Sequence, residues 1–136
     1  MQSTQELEHT IRESKEPSIL KEDVFSMPDL TAYLNGLLQE HHLTVQDIVV
    51  RCNLDRSYGY QLFNGTRNPT RNFLLRLALL LNLEEAVAQR LLNLAGRQPL
   101  YARNRRDAAV LYSLSHGLTL EEAEALLADL GEEGLA

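Results

Sequence analysis

Residues 43–65 read LTVQDIVVRCNLDRSYGYQLFNG. Two short helix-forming segments flank Cys52-Asn53-Leu54. Thr44 stands where an N-cap belongs, with Asp47 three residues on as a short capping-box partner. Ile48, Val49 and Cys52 recur at helical spacing and are expected to turn inward. Asp55 is the next N-cap, opening a helix over 56–63 that stops at Asn64-Gly65. The second segment keeps Arg56, Ser57, Tyr58, Tyr60 and Gln61 for its outer face, and a basic loop containing Pro69 follows. That layout suits an element that presents one helix to the groove of a nucleic acid.

Upstream, Leu30, Tyr33, Leu34, Leu37 and Leu38 mark an amphipathic helix from Pro28-Asp29 to about His41. Downstream, Thr70 caps a helix bearing Phe73, Leu74, Leu77, Ala78 and Leu81. A fifth covers residues 83–95 and closes at Gly96. Asn104, with Asp107 three positions on, opens a helix through Ser115 that Gly117 breaks. Thr119 and Glu122 form the clearest capping box, starting a helix that ends at Gly131. Residues 1–28 are polar and weakly periodic, and are expected to form a loosely docked arm. The expected organisation is therefore an arm over 1–28, a helical domain over 29–96 and a helical extension over 97–136. A faint echo links Leu83-Glu84-Glu85-Ala86 to Leu120-Glu121-Glu122-Ala123 at an offset of 37, and LLNLAG to LLADLG at 35. Two copies do not define a solenoid.

Leu, Ala and Glu dominate the 136 residues while β-branched and aromatic types are sparse, which favours an all-α protein. The formal charge of -6 argues against nonspecific polyanion binding over the whole surface. Charge is uneven, however. Between Thr44 and Arg76, five arginines face only Asp47 and Asp55, a net of +3. The lone Cys52 excludes an intramolecular disulfide and any cysteine-only metal site; burial as a small core filler is expected of it. The absence of a signal-like start or an apolar run of spanning length makes the cytoplasm the expected location and a membrane an unexpected partner.

His41 and His42 follow Glu40 without any HExxH-like spacing, so a helix-end role is expected in place of a metal site. No Gly-rich phosphate loop or paired-carboxylate motif is present, so neither an enzyme nor a cofactor is expected. Arg103, Arg105 and Arg106 could touch DNA beyond the main motif, but an ordinary solvated helix start, or salt bridges to the acidic terminal helix, is the expectation for them.

In order along the chain, LTVQDIVVRCNL, the turn-helix segment ending LFNG, TRNPT and LLRLALLLNL resemble the Cro/lambda-repressor-like helix-turn-helix family, over about Asp29 to Leu83. The resemblance implies a lambda-repressor-like domain with additional C-terminal helices. It also implies a transcription regulator that binds specific double-stranded DNA as a homodimer. Asp55, Arg56, Ser57 and Gln61 then hold DNA-facing positions, with Tyr58 near the phosphate backbone. By chemistry, Arg56 suits guanine and Gln61 adenine. Arg51, Arg67 and Arg71 are expected to position the backbone, and Asn68 to add a neutral contact. Three positions depart from the family pattern. Val45 replaces a frequent Gln, Gly59 an apolar core residue, and Phe63 an acidic residue. A neighbouring tyrosine or a closely approaching helix is expected to take up the room at Gly59. The rival function is a protein adaptor on the same scaffold, docking an unidentified partner through Tyr58 and Tyr60. Leu111, Leu114, Leu126, Leu127 and Leu130 are candidates for a dimer surface or for packing within the chain.

Overall fold

The computed structural model describes residues 30–136; the polar arm expected over 1–28 lies outside them. Among the described residues the fold is all-α: seven helices and no strand. They are α1 (Leu30–Glu40), α2 (Val45–Arg51), α3 (Arg56–Asn64), α4 (Arg71–Leu80), α5 (Glu85–Leu94), α6 (Arg105–Ser115) and α7 (Leu120–Asp129).

The expected caps all form. Thr44 Oγ1 accepts from Asp47 N–H at 3.2 Å while Asp47 accepts from Thr44 N–H at 2.8 Å. Thr119 and Glu122 close the same reciprocal box before α7. Asp55, Thr70 and Asn104 accept from Tyr58, Phe73 and Asp107 N–H respectively. Each satisfies a backbone donor that the first helical turn leaves without an intrahelical acceptor.

One turn is used four times. His42, Asn53, Asn82 and Gly117 each adopt a left-handed conformation after a helix, with φ of 55°, 51°, 51° and 63°. A leucine follows in every case. Its N–H reaches back to the carbonyl five residues earlier: Leu43 to Leu38, Leu54 to Val49, Leu83 to Ala78 and Leu118 to Ser113, each at 2.9 Å. The next residue, Thr44, Asp55, Glu84 or Thr119, is the N-cap of the following helix. This Schellman-type closure satisfies the last carbonyls of one helix and redirects the chain in three residues. It joins α1 to α2, α2 to α3, α4 to α5 and α6 to α7. The sequence echo becomes regular here: Glu85 and Leu120 open their helices 35 residues apart, and Gly96 and Gly131 follow them at the same spacing.

α4 is the central element. Phe73, Leu74, Leu75, Leu77, Ala78 and Leu79 are all buried, so apolar side chains cover most of its circumference. It packs against α5, α6 and α7. A single contiguous cluster runs from Leu34 through Leu62 and Leu92 to Val110, Leu127 and Leu135. Residues 97–136 therefore share the core of residues 30–96. Leu114 and Leu127 are buried in it, while Leu111, Leu126 and Leu130 pack partly buried against it. All five leucines thus take part in packing within the chain.

Two irregular segments are fastened by arginines. Arg71 donates from Nη1 and Nη2 to both carboxylate oxygens of Asp107, at 3.1 and 2.9 Å, and also to the carbonyls of Gln98 and Pro99. Asp107, 6% exposed, accepts a further bond from Tyr101 N–H. Past α7, Arg105 pairs with Glu132 at 2.7 Å, and Arg106 donates to the carbonyls of Glu133 and Gly134. Leu135 is thereby set into the core, its N–H bound by Glu124. Arg105 thus finds its carboxylate just after the terminal helix and not on it, while Arg106 is held by backbone carbonyls and Asn72.

Candidate nucleic-acid interface

The α2–α3 unit is locked by its buried face. At Gly59 the two helices pack closely: a methyl group added there would overlap Val49 Cγ2, with Leu54 next nearest. The room is taken by the approaching helix and not by a repacked tyrosine. Phe63 is buried and meets Phe73 edge to face, with ring centroids 6.2 Å apart and planes at 82°. Phe63 is thus a contact that seats α3 on α4. From α1, Asn35 Nδ2 donates to Phe63 O at 2.8 Å and holds the far end of α3.

The opposite face of α3 is open. Arg56, Ser57 and Tyr60 are exposed; Tyr58 and Gln61 are half-buried. Two arginine–tyrosine pairs order this surface. The Arg56 guanidinium lies 5.7 Å from the Tyr60 ring centroid, and that of Arg67 lies 5.6 Å from Tyr58. Arg67 Nε also donates to Gln61 Oε1 at 3.1 Å, which orients the Gln61 amide. Tyr58, Gln61 and Arg67 are therefore one cluster, with Arg56 and Tyr60 as a second pair. Asp55 is the exposed N-cap, its carboxylate occupied by Tyr58 N–H, and Asn68 stands exposed in the following loop. Tyr60, expected on the outer face but not among the DNA contacts, joins the site through Arg56, four residues before it.

Arg71 requires correction. It was expected to clamp a phosphate, yet its guanidinium is spent on Asp107, Gln98 and Pro99, and its side chain is only 22% exposed. Its donors hold the 97–104 loop to α4. Arg76 likewise points inward, donating to Cys52 O at 3.0 Å. The positive excess is thus smaller at the surface than along the chain: Arg51, Arg56 and Arg67 remain against Asp47 and Asp55, a net of +1. Arg51 is exposed but stands apart from the Arg67 cluster in its surroundings, lining a cleft with Arg76 and α7.

Among the described residues two titrations are displaced. The backbone and side-chain hydrogen bonds from Thr44 hold the Asp47 carboxyl below its ordinary value, with a smaller contribution from Arg51. Burial pushes the Cys52 thiol up, partly opposed by Arg76. Among the described residues no cluster of His, Cys, Asp and Glu could hold a metal ion. His41 Nδ1 meets Leu37 O at 2.8 Å at the end of α1, the helix-terminal role expected of it. No helix among the described residues is long and apolar enough to cross a membrane.

Comparison of the chain with protein-family models, with curated proteins and with solved structures finds no match to any of them.

Proposed function

We propose that α2, the turn at Cys52–Leu54 and α3 form a lambda-repressor-like helix-turn-helix, and that the protein is a transcription regulator binding a specific double-stranded DNA site as a homodimer. One observation carries this reading. α3 is held against α1, α2 and α4, with Gly59, Leu62 and Phe63 buried, while it offers solvent an ordered row of hydrogen-bonding side chains. A reading helix needs that combination, because base edges are discriminated only by groups held in register with the groove. Arg56 is the guanine reader and Gln61 the second base contact. Ser57 and Asp55 stand beside the groove floor. Arg67 and Tyr58 approach the phosphates, with Asn68 as a neutral contact. Arg67 takes two roles in this scheme, orienting Gln61 and neutralising a phosphate.

The adaptor reading has its own support. Tyr60 at 41% and Val50 at 67% exposure give the same unit apolar surface, and its net charge is small. Selection of bound duplexes from random DNA separates the two. The DNA reading expects enrichment of a palindromic motif. It also expects that Arg56→Ala with Gln61→Ala erases base preference, by about 1–3 kcal/mol per position read. Failure to enrich any motif with the folded protein supports the adaptor.

A further inference from the structure

We infer that the cleft between the α2–α3 turn, α4 and α7 is a binding site for a small zwitterion of the free amino-acid class. The cleft measures about 350 Å³, within the range of roughly 300–1,000 Å³ typical of small-molecule sites. Arg51, Asn53 and Arg76 line it from α2, the turn and α4; Glu121 and Glu124 line it from α7. Cys52, Leu120 and Ala136 complete the lining.

The charges on its walls are what single it out. Elsewhere on α4 and α6, Arg71, Arg105 and Arg106 all have side-chain acceptors. Among the described residues neither Arg51 nor Arg76 has a carboxylate within salt-bridge distance, although two glutamates line the same cleft. Arg76 makes one hydrogen bond, from Nη2 to Cys52 O, which leaves Nη1 without an acceptor, while its Nε–H is buried out of reach of the cleft. Opposite charges on facing elements thus leave a gap that neither side closes. A molecule with a carboxylate at one end and an ammonium at the other would complete both halves: guanidinium groups bind a carboxylate through paired N–H donors, and the glutamates accept from the ammonium. Glu124 already gives Oε1 to Leu135 N–H, so Glu121, exposed and uncommitted, is the principal ammonium partner.

The location adds a consequence. Cys52 and Asn53 belong to the turn that sets α3 against the rest of the molecule, so occupancy would be felt at the recognition helix. That coupling rests on the DNA reading; the binding does not. The test uses the full chain without DNA, with the common L-amino acids as individual probes in two-dimensional amide NMR titrations. At least one is expected to give saturable shifts at Cys52, Asn53 and Leu120. Its N-acetyl and carboxamide derivatives, each lacking one charge, should bind about ten-fold more weakly, the scale of one lost charge-assisted contact. Arg51→Gln and Glu121→Gln, both at exposed positions, should each weaken binding similarly while leaving the unfolding midpoint in place. Absence of saturable shifts with every probe overturns the assignment. So does a single-charge derivative, or either variant, that binds as tightly as the parent.

Discussion

Gly59 shows what one missing methyl group permits. In a helix interior glycine is worse than alanine by about 1 kcal/mol, so alanine here would be favoured locally. The overlap with Val49 Cγ2 reverses that preference, because a β-branched side chain has few rotamers into which it can retreat. Gly59→Ala is expected to lower stability by about 1–2 kcal/mol, with overpacking outweighing the propensity gain. Urea unfolding would show it as a lower midpoint at constant slope; a raised midpoint would mean that the two helices are not in contact there. The sequence marked Gly59 as anomalous, and close approach of a helix was one of two expectations for it. Choosing between them needed the position of Val49, ten residues away and set by the turn. Asp47 is simpler. Its carboxyl titrates below the ordinary 3.8 because the ionised form accepts Thr44 N–H. The capping box is thus complete above that value and is lost as pH falls through the lowered one. Carboxyl NMR titration should place Asp47 below its ordinary value, and Thr44→Ala, which removes the hydroxyl but keeps the backbone N–H, should raise it only part of the way back.

At the scale of elements, the caps were legible because capping is local: Thr44, Asp55, Thr70, Asn104 and Thr119 each act within three residues of themselves. Helix limits followed from them to within a residue or two. Arg71 was misassigned for the opposite reason. Its partner lies 36 residues downstream, and charge counted along a chain does not show which arginines are already neutralised. The pair predicts its own signature. Asp107→Ala would leave Arg71 and Tyr101 N–H without their acceptor in a mostly buried place, and is expected to cost about 3 kcal/mol. Thermal unfolding should register a large drop in midpoint. A variant as stable as the parent would show the pair to be ornamental to the fold.

For the whole molecule, one core spans both expected helical segments, organised around a helix that is apolar nearly all round. That unity was hidden in the sequence, since Gly96 and Pro99 punctuate the chain like a boundary while Leu100 and Leu135 return to the same cluster. It gives Cys52 a use as a reporter. Buried, with its thiol pushed up, it should alkylate very slowly in the native state even at mildly alkaline pH, and rapidly once urea opens the core. Rapid native labelling would mean that the α2–α3 turn opens without global unfolding. The candidate DNA surface was more legible than its charge: Arg56, Ser57 and Gln61 lie on the open or half-open face of α3 as spacing implied, whereas the net excess fell from +3 to +1 once Arg71 and Arg76 turned inward.

Recognition of DNA through α3 is tested most directly by the salt dependence of binding to a selected duplex, followed by fluorescence anisotropy from about 50 to 200 mM salt. Affinity should fall steadily with salt. Arg67→Ala should make the log–log slope shallower by about one, the mark of a lost phosphate contact, while Arg71→Ala lowers stability and leaves the slope unchanged. An Arg67→Ala slope identical to that of the parent, or a parent affinity insensitive to salt, would contradict the account.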